Sequence, residues 1–205
     1  MNILAIGAHP DDIEFGCGGT LIKYTRQGHK VYLLVATHGD QGGDGNVRAK
    51  ELRRSAQIMG ATDLFIFEYP DTKLPLDKEL ISRIEDVIKV VSPNIIFVHY
   101  FDDTHQDHRA LSKVTTSATR YIKNVLFYEV PTTQNFAPTV FTDIENELED
   151  KLACLEAHAS QVTKTNIEGL TIVDFARSAA HFRGIQGRVK NAEGFIPLRL
   201  FVNVD

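Results

Sequence analysis

The sequence predicts an α/β fold, a single domain with a mostly parallel sheet flanked by helices, and three observations carry that expectation. Short apolar runs rich in β-branched residues alternate with longer amphipathic stretches, the signature of βαβ units. The chain has 205 residues and 43% hydrophobic composition, enough for one substantial core and short for two. No internal repeat, low-complexity tract or linker interrupts the alternation.

In chain order, strands are expected at Ile3–Gly7, Val31–Thr37, Leu64–Phe67, Asn94–His99, Val125–Val130 and Thr139–Ile144. The first helix is expected from Gly19 to Gln27. The second opens near Asn46 as N-cap, carries Ala49, Leu52, Ala56 and Met59 at helical spacing, and stops at Gly60. A third shows Ile81, Ile84, Ile88 and Val91 and ends before Pro93; a fourth shows Leu148, Leu152, Leu155 and Ala159. These stripes are core faces.

Composition narrows the functional classes. The net charge is −5 and the cations are scattered, so no nucleic-acid footprint is present and a small soluble partner is expected. Two cysteines, Cys17 and Cys154, make no disulfide framework, which suits a reducing cytoplasm. The first apolar run meets His9-Pro10-Asp11-Asp12 at once and has no basic residue before it, so neither a signal peptide nor a membrane span is expected.

In open parallel sheets the ligand crevice lies at the carboxyl ends of the strands, which directs attention to the loops beginning at His9, His38, Tyr69 and Tyr100. The first strand runs into Ala8-His9-Pro10-Asp11-Asp12, an imidazole and two carboxylates in four residues. The fourth runs into Asp102-Asp103-Thr104-His105-Gln106-Asp107-His108-Arg109, with His105 and His108 three apart at a loop-to-helix transition. A hydrolytic zinc site needs three protein ligands and an open position, and two His with one carboxylate is an accepted set. His9, Asp12 and His108 would supply it.

Each piece has a plainer reading. H-x-x-H pairs often face solvent or cap helices, and Asp after a strand is often an N-cap or turn former. It is the conjunction of both clusters at neighbouring strand ends that favours a site. Gly16-Cys17-Gly18-Gly19-Thr20 fails the dinucleotide pattern, because Leu21 stands where its third glycine belongs. Asp40 to Glu51 partly matches a calcium loop, but Gly42 occupies a ligand position and a strand precedes it, so it reads as a flexible crevice loop. Cys17 reads as a packing residue. His29, His38, His99, His158 and His181 lack clustering and default to surface or hydrogen-bonded core roles.

The A-H-P-D-D motif, followed by His105-x-x-His108-Arg109, resembles the PIG-L/LmbE family of N-acetylglucosaminyl deacetylases. The resemblance extends to Gly16–Thr20, read as a turn, to the Arg48-x-x-Glu51 helix start, and to a tail from Arg183-Gly184 to Ala192-Glu193-Gly194-Phe195 similar to the bacillithiol branch. It implies a Rossmann-like fold with zinc held by His9, Asp12 and His108, Asp11 as general base, and His105 acting on the oxyanion or leaving group. Asp107 would orient His105, and Arg48, with Glu51 and Asp103, would hold the substrate. Gln106 replaces a usual proline, Asp103 stands where one actinobacterial branch has tyrosine, and Asn191 stands where the bacillithiol-like tail more often has tyrosine. These departures leave the aglycone of the amino sugar open among malyl, inositol and nucleotide groups.

Such a site would polarise an amide carbonyl and lower the pKa of water from about 16 towards 7, with Asp11 taking the proton and His105 serving the oxyanion or the amine. Zinc and ferrous iron can share this ligand set, so a non-haem Fe(II) oxygenase is the rival enzyme and a non-catalytic sugar-binding protein the rival of another class. An oxygenase has no use for the second carboxylate, and no catalytic group is missing. The tail, with Phe182, Phe195, Ile196 and Leu198 as apolar anchors and His181, Arg183 and Arg188 as polar reach, is expected to complete the site or a homo-oligomer interface.

Overall fold

The structure, a computed structural model, describes residues 1–202. Among them, seven strands form one sheet: β1 (Asn2–Gly7), β2 (Lys30–Thr37), β3 (Asp63–Tyr69), β4 (Ile95–His99), β5 (Val125–Tyr128), β6 (Val140–Asp143) and β7 (Ala192–Arg199), in the spatial order β3-β2-β1-β4-β5-β7-β6. β3 through β5 pair in parallel, whereas β7 runs antiparallel to both β5 and β6. The expected mostly parallel sheet is therefore present, with an antiparallel edge. β1 and β4 are direct neighbours, with Ile6 opposite Val98, so the two motif-bearing strand ends lie side by side.

Side-chain alternation on β1 feeds two cores, one on each face of the sheet. Ile3 and Ala5 join the cluster built with α1 (Asp12–Arg26), α2 (Gly45–Met59), α5 (Leu148–Glu156) and α6 (Ile172–Gly187). Leu4 and Ile6 join the cluster built with α3 (Lys78–Val91) and α4 (Gln106–Ala118). The α3 stripe is buried at Leu80, Ile84, Val87 and Val91, with Ile81 and Ile88 flanking it. Each such side chain is worth about 1.5–3 kcal/mol on burial. Asp77 starts this helix by accepting Leu80 N at 2.9 Å.

Three expectations are corrected. The first helix begins at Asp12 rather than Gly19, so Gly16–Thr20 is helical and not a turn. Its glycines are packing residues: a Cβ on Gly16 would lie 2.1 Å from Tyr128 Cδ2, and one on Gly19 would lie 2.9 Å from Ile144 Cδ1. The second helix is capped by Asp44, whose carboxylate accepts Asn46 N at 2.8 Å and Val47 N at 3.2 Å, so Asn46 lies inside it. The tail contains a full helix and a strand. α6 opens with a capping box between Thr171 and Asp174, and β7 joins the sheet. Glu193 of β7 accepts Gly19 N and Thr20 N at 2.9 and 2.7 Å and pairs with buried Lys151 at 2.6 Å, which fastens the tail to α1 and α5. None of the described helices is long and apolar enough to cross a membrane.

Candidate metal centre

The A-H-P-D-D segment turns sharply between β1 and α1. Asp11 takes φ 98°, the left-handed region in which a side chain is strained, and such strain is often retained at functional sites. The turn brings the Asp12 carboxylate back to His9, where Oδ2 accepts His9 N at 2.7 Å. Across the β1–β4 boundary, His105 is the N-cap of α4 and His108 lies in its first turn.

The His9, Asp12 and His108 side chains converge. His9 Nδ1 lies 3.3 Å from His108 Nε2 and 3.3 Å from Asp12 Oδ2, and His108 Nε2 lies 3.4 Å from Asp12 Oδ1. Ligands at roughly 2.0–2.2 Å from a tetrahedral zinc stand roughly 3.3–3.6 Å apart. The donor set and its spacing therefore fit a divalent cation. The electrostatics agree: Asp12, Asp71, Asp103 and Asp107 are all buried here, and such a group of carboxylates needs positive charge nearby.

The other nitrogens of the rings are occupied by carboxylates. His9 Nε2 faces Asp107 Oδ2 at 3.3 Å and Asp71 Oδ1 at 3.0 Å, and His108 Nδ1 faces Asp103 Oδ1 at 3.2 Å. This arrangement sets the tautomer and leaves His9 Nδ1 and His108 Nε2 facing the site. Burial disfavours charge on His108, but Asp12 and Asp103 more than offset it and hold the ring up to about 9. Burial raises the Asp71 carboxyl, which His9 outweighs and brings down to about 2.

His99, assigned by sequence to a default role, belongs to this cluster. It is fully buried, stacks on His108 with centroids 4.1 Å apart and planes 9° apart, and brings Nε2 to 3.1 Å from Asp12 Oδ2. Burial, then the charge of His108, push its pKa down to about 4, so the ring is neutral at ordinary pH. Asp71 was also missed. The signal available for both was position alone, at or just beyond a strand's carboxyl end.

Asp11 stands beside the three donors, with its side chain a quarter exposed and lining a cavity of about 270 Å³ together with Asp12 and His108. Burial pushes its carboxyl up to about 6, against the opposing pull of Arg48. His105 Nδ1 accepts Asp107 N at 3.2 Å, so Nε2 is the nitrogen that carries its proton. The Asp107 carboxylate does not meet His105 as expected; it accepts Thr72 N at 2.7 Å and Leu74 N at 3.1 Å and serves His9.

The residues expected to hold substrate are bonded within the protein. Arg48 is buried, donating from Nη1 to Gly39 O at 2.6 Å and from Nη2 to Pro10 O at 2.7 Å, with Asp11 Oδ2 at 3.4 Å. The guanidinium packs so closely that a Cβ on Gly39 would lie 2.2 Å from Nη1. Glu51 accepts Ser160 N at 2.8 Å and Ser160 Oγ at 2.7 Å. Asp103 holds His105 N at 2.8 Å and Thr133 Oγ1 at 3.0 Å as well as His108. All three build the site from behind.

Comparison with known proteins agrees with this geometry. An uncharacterized deacetylase of Escherichia coli, YaiS, is 38% identical over 77% of this chain and 90% of its own. Diacetylchitobiose deacetylase of Thermococcus kodakarensis is 29% identical over 95% of this chain and 83% of its own. The crystal structure of the conserved protein TT1542 from Thermus thermophilus matches with a TM-score of 0.88 at 26% identity, covering 100% of this chain and 99% of that one. The family model described as GlcNAc-PI de-N-acetylase matches residues 4–119, which span both motifs and more than half of the sequence. The chain belongs to the PIG-L family.

Proposed function

We propose that this protein is a metal-dependent hydrolase that removes the N-acetyl group from an N-acetylglucosamine-type conjugate and releases acetate. One observation carries the metal dependence: three donor atoms of His9, Asp12 and His108 stand 3.3–3.4 Å apart beside an uncommitted carboxylate, Asp11. Family membership and the deacetylases among the relatives support the acetyl substrate. They favour neither an oxygenase nor a sugar-binding protein without turnover.

On this reading His9, Asp12 and His108 hold a divalent cation, zinc or ferrous iron. The cation supplies Lewis acidity, which polarises an amide carbonyl and makes water acidic enough to attack. Asp11 accepts the proton that water loses as its oxygen adds to the carbonyl carbon, a task suited to a carboxyl raised to about 6. His105, with its proton on Nε2, donates to the oxyanion, and the proton held by Asp11 leaves with the amine as the C–N bond breaks. Asp71, Asp103, Asp107 and His99 position the three ligands.

The test is acetate release from N-acetylglucosamine conjugates by protein loaded with zinc or iron, next to the same protein with His108→Ala. Acetate from the first and none from a folded second is expected. Equal rates from both would overturn the ligand assignment.

A further inference from the structure

Beyond the cavity at the metal centre lies a second and larger one. The inner cavity, about 270 Å³, and the outer, about 730 Å³, share Gln161, Lys164 and Asn166 as a common wall. The inner space is at the low end of the roughly 300–1,000 Å³ usual for small-molecule sites, so the site has room for much more than one sugar ring.

The wall between them is preformed. Ser160 is fastened to Glu51 by two hydrogen bonds, Val162 O accepts Ile172 N at 3.0 Å, and Lys164 Nζ donates to Gly42 O. Held in this way, the segment needs little ordering when a ligand arrives.

Charge decides what the outer space accepts. Its lining is mostly uncharged hydrogen-bonding groups, among them Gln41, Gln161, Thr163 and Asn166. The one ammonium, Lys164, is balanced by Glu168 on the same lining. Arg48 spends its guanidinium on Gly39, Pro10 and Asp11, and Arg109 donates to Asp103 O at 2.5 Å and Thr104 O at 2.7 Å. A carboxylate or phosphate placed here would meet no uncommitted cation among the described residues and would face Glu168, Asp11 and Asp12. A neutral polyhydroxyl group would find amides and hydroxyls to exchange bonds with.

We propose that the groove formed by Gln41, Gly42 and residues 161–168 is an aglycone subsite for an uncharged sugar, so that the preferred substrate is an N-acetylglucosamine joined to a second neutral hexose. This rests on the deacetylase reading above and narrows it.

The experiment compares initial rates of acetate release by metal-loaded protein from N-acetylglucosamine, from N-acetylglucosamine β-linked to an unacetylated hexose, and from N-acetylglucosaminyl malate. The disaccharide should exceed the monosaccharide about tenfold or more in kcat/KM, mainly through KM, and the malyl conjugate should show no such gain. In the double variant Gln41→Ala, Thr163→Ala, the disaccharide-to-monosaccharide ratio should fall about fivefold or more with metal content unchanged. A malyl preference, equal rates on the two neutral compounds, or an unmoved ratio in the variant would overturn the subsite while leaving the deacetylase reading in place. Acetate from none of the three would overturn that reading, and this one with it.

Discussion

His9 and Asp107 are joined through the imidazole nitrogen that faces away from the site, Nε2 to Oδ2 at 3.3 Å, and this contact selects the nitrogen that His9 presents to a metal. Asp107 is itself held by the backbone N–H groups of Thr72 and Leu74. Asp107→Ala frees the ring to rotate and to change tautomer. Loss of such a support typically costs roughly 10–100-fold in metal affinity. Competition with a chromogenic chelator should give a zinc Kd weakened by about that factor in protein of native circular dichroism. An unchanged Kd would show that His9 needs no such support.

Asp11→Asn separates base from ligand. The amide retains the size of the carboxylate and accepts no proton, so the variant should retain one metal per chain while kcat falls by about 10²–10⁴. Metal analysis beside turnover at saturating substrate reads both. Loss of metal would make Asp11 a ligand, and full turnover would place the base elsewhere.

The glycines of α1 make opposite predictions. Gly16→Ala places its Cβ against the ring of buried Tyr128, at 2.1 Å. Overpacking of this kind costs about 1–3 kcal/mol or more, a fall in Tm of roughly 2–12 °C for a chain of this size. Gly18→Ala meets nothing nearer than Lys151 Cγ at 3.6 Å, and a helical alanine is favoured by about 0.5–1 kcal/mol. Its Tm should hold or rise. Equal effects in thermal melts would contradict a helix beginning at Asp12.

Chelation should lower stability as well as activity. The buried carboxylates around His9 and His108 lose their counter-charge when the cation leaves. A ligand present at 100 times its Kd contributes about 2.7 kcal/mol, which here is a Tm difference of roughly 5–10 °C. Calorimetry of holo and chelator-treated protein measures it. Identical transitions would mean that no cation is bound.

Much of this was legible in the sequence because it is local. His9, Asp11 and Asp12 lie in one turn, His105 and His108 in one helical start, and alternation of strands with amphipathic stretches implied that both clusters meet at one edge of a parallel sheet. What escaped depends on long-range packing. His99 ends a strand with no patterned neighbour, and its place in the cluster comes from stacking on His108. Asp71 follows Pro70, a pair that reads as a turn, and its role appears only where Gln41 N and His9 approach its carboxylate. Arg48, Glu51 and Asp103 looked like substrate contacts because they are polar and near the crevice, but burial turned them to backbone and side-chain partners. Gly16–Thr20 looked like a turn because glycine disfavours helix; Tyr128 and Ile144, far along the chain, are what require glycine there. The helix α6 was hidden because its buried stripe is narrow, made of Ala176, Ala180, Arg183 and Gly184 rather than of large apolar side chains.

The central claim is that a cation held by His9, Asp12 and His108 drives deacetylation. It is tested most directly by titrating zinc or ferrous iron into chelator-stripped protein while acetate release from an N-acetylglucosamine disaccharide is recorded. Activity should be absent in verified metal-free protein and should rise to a plateau at one equivalent per chain. Full acetate release from metal-free protein, or none at any metal ratio, would contradict it.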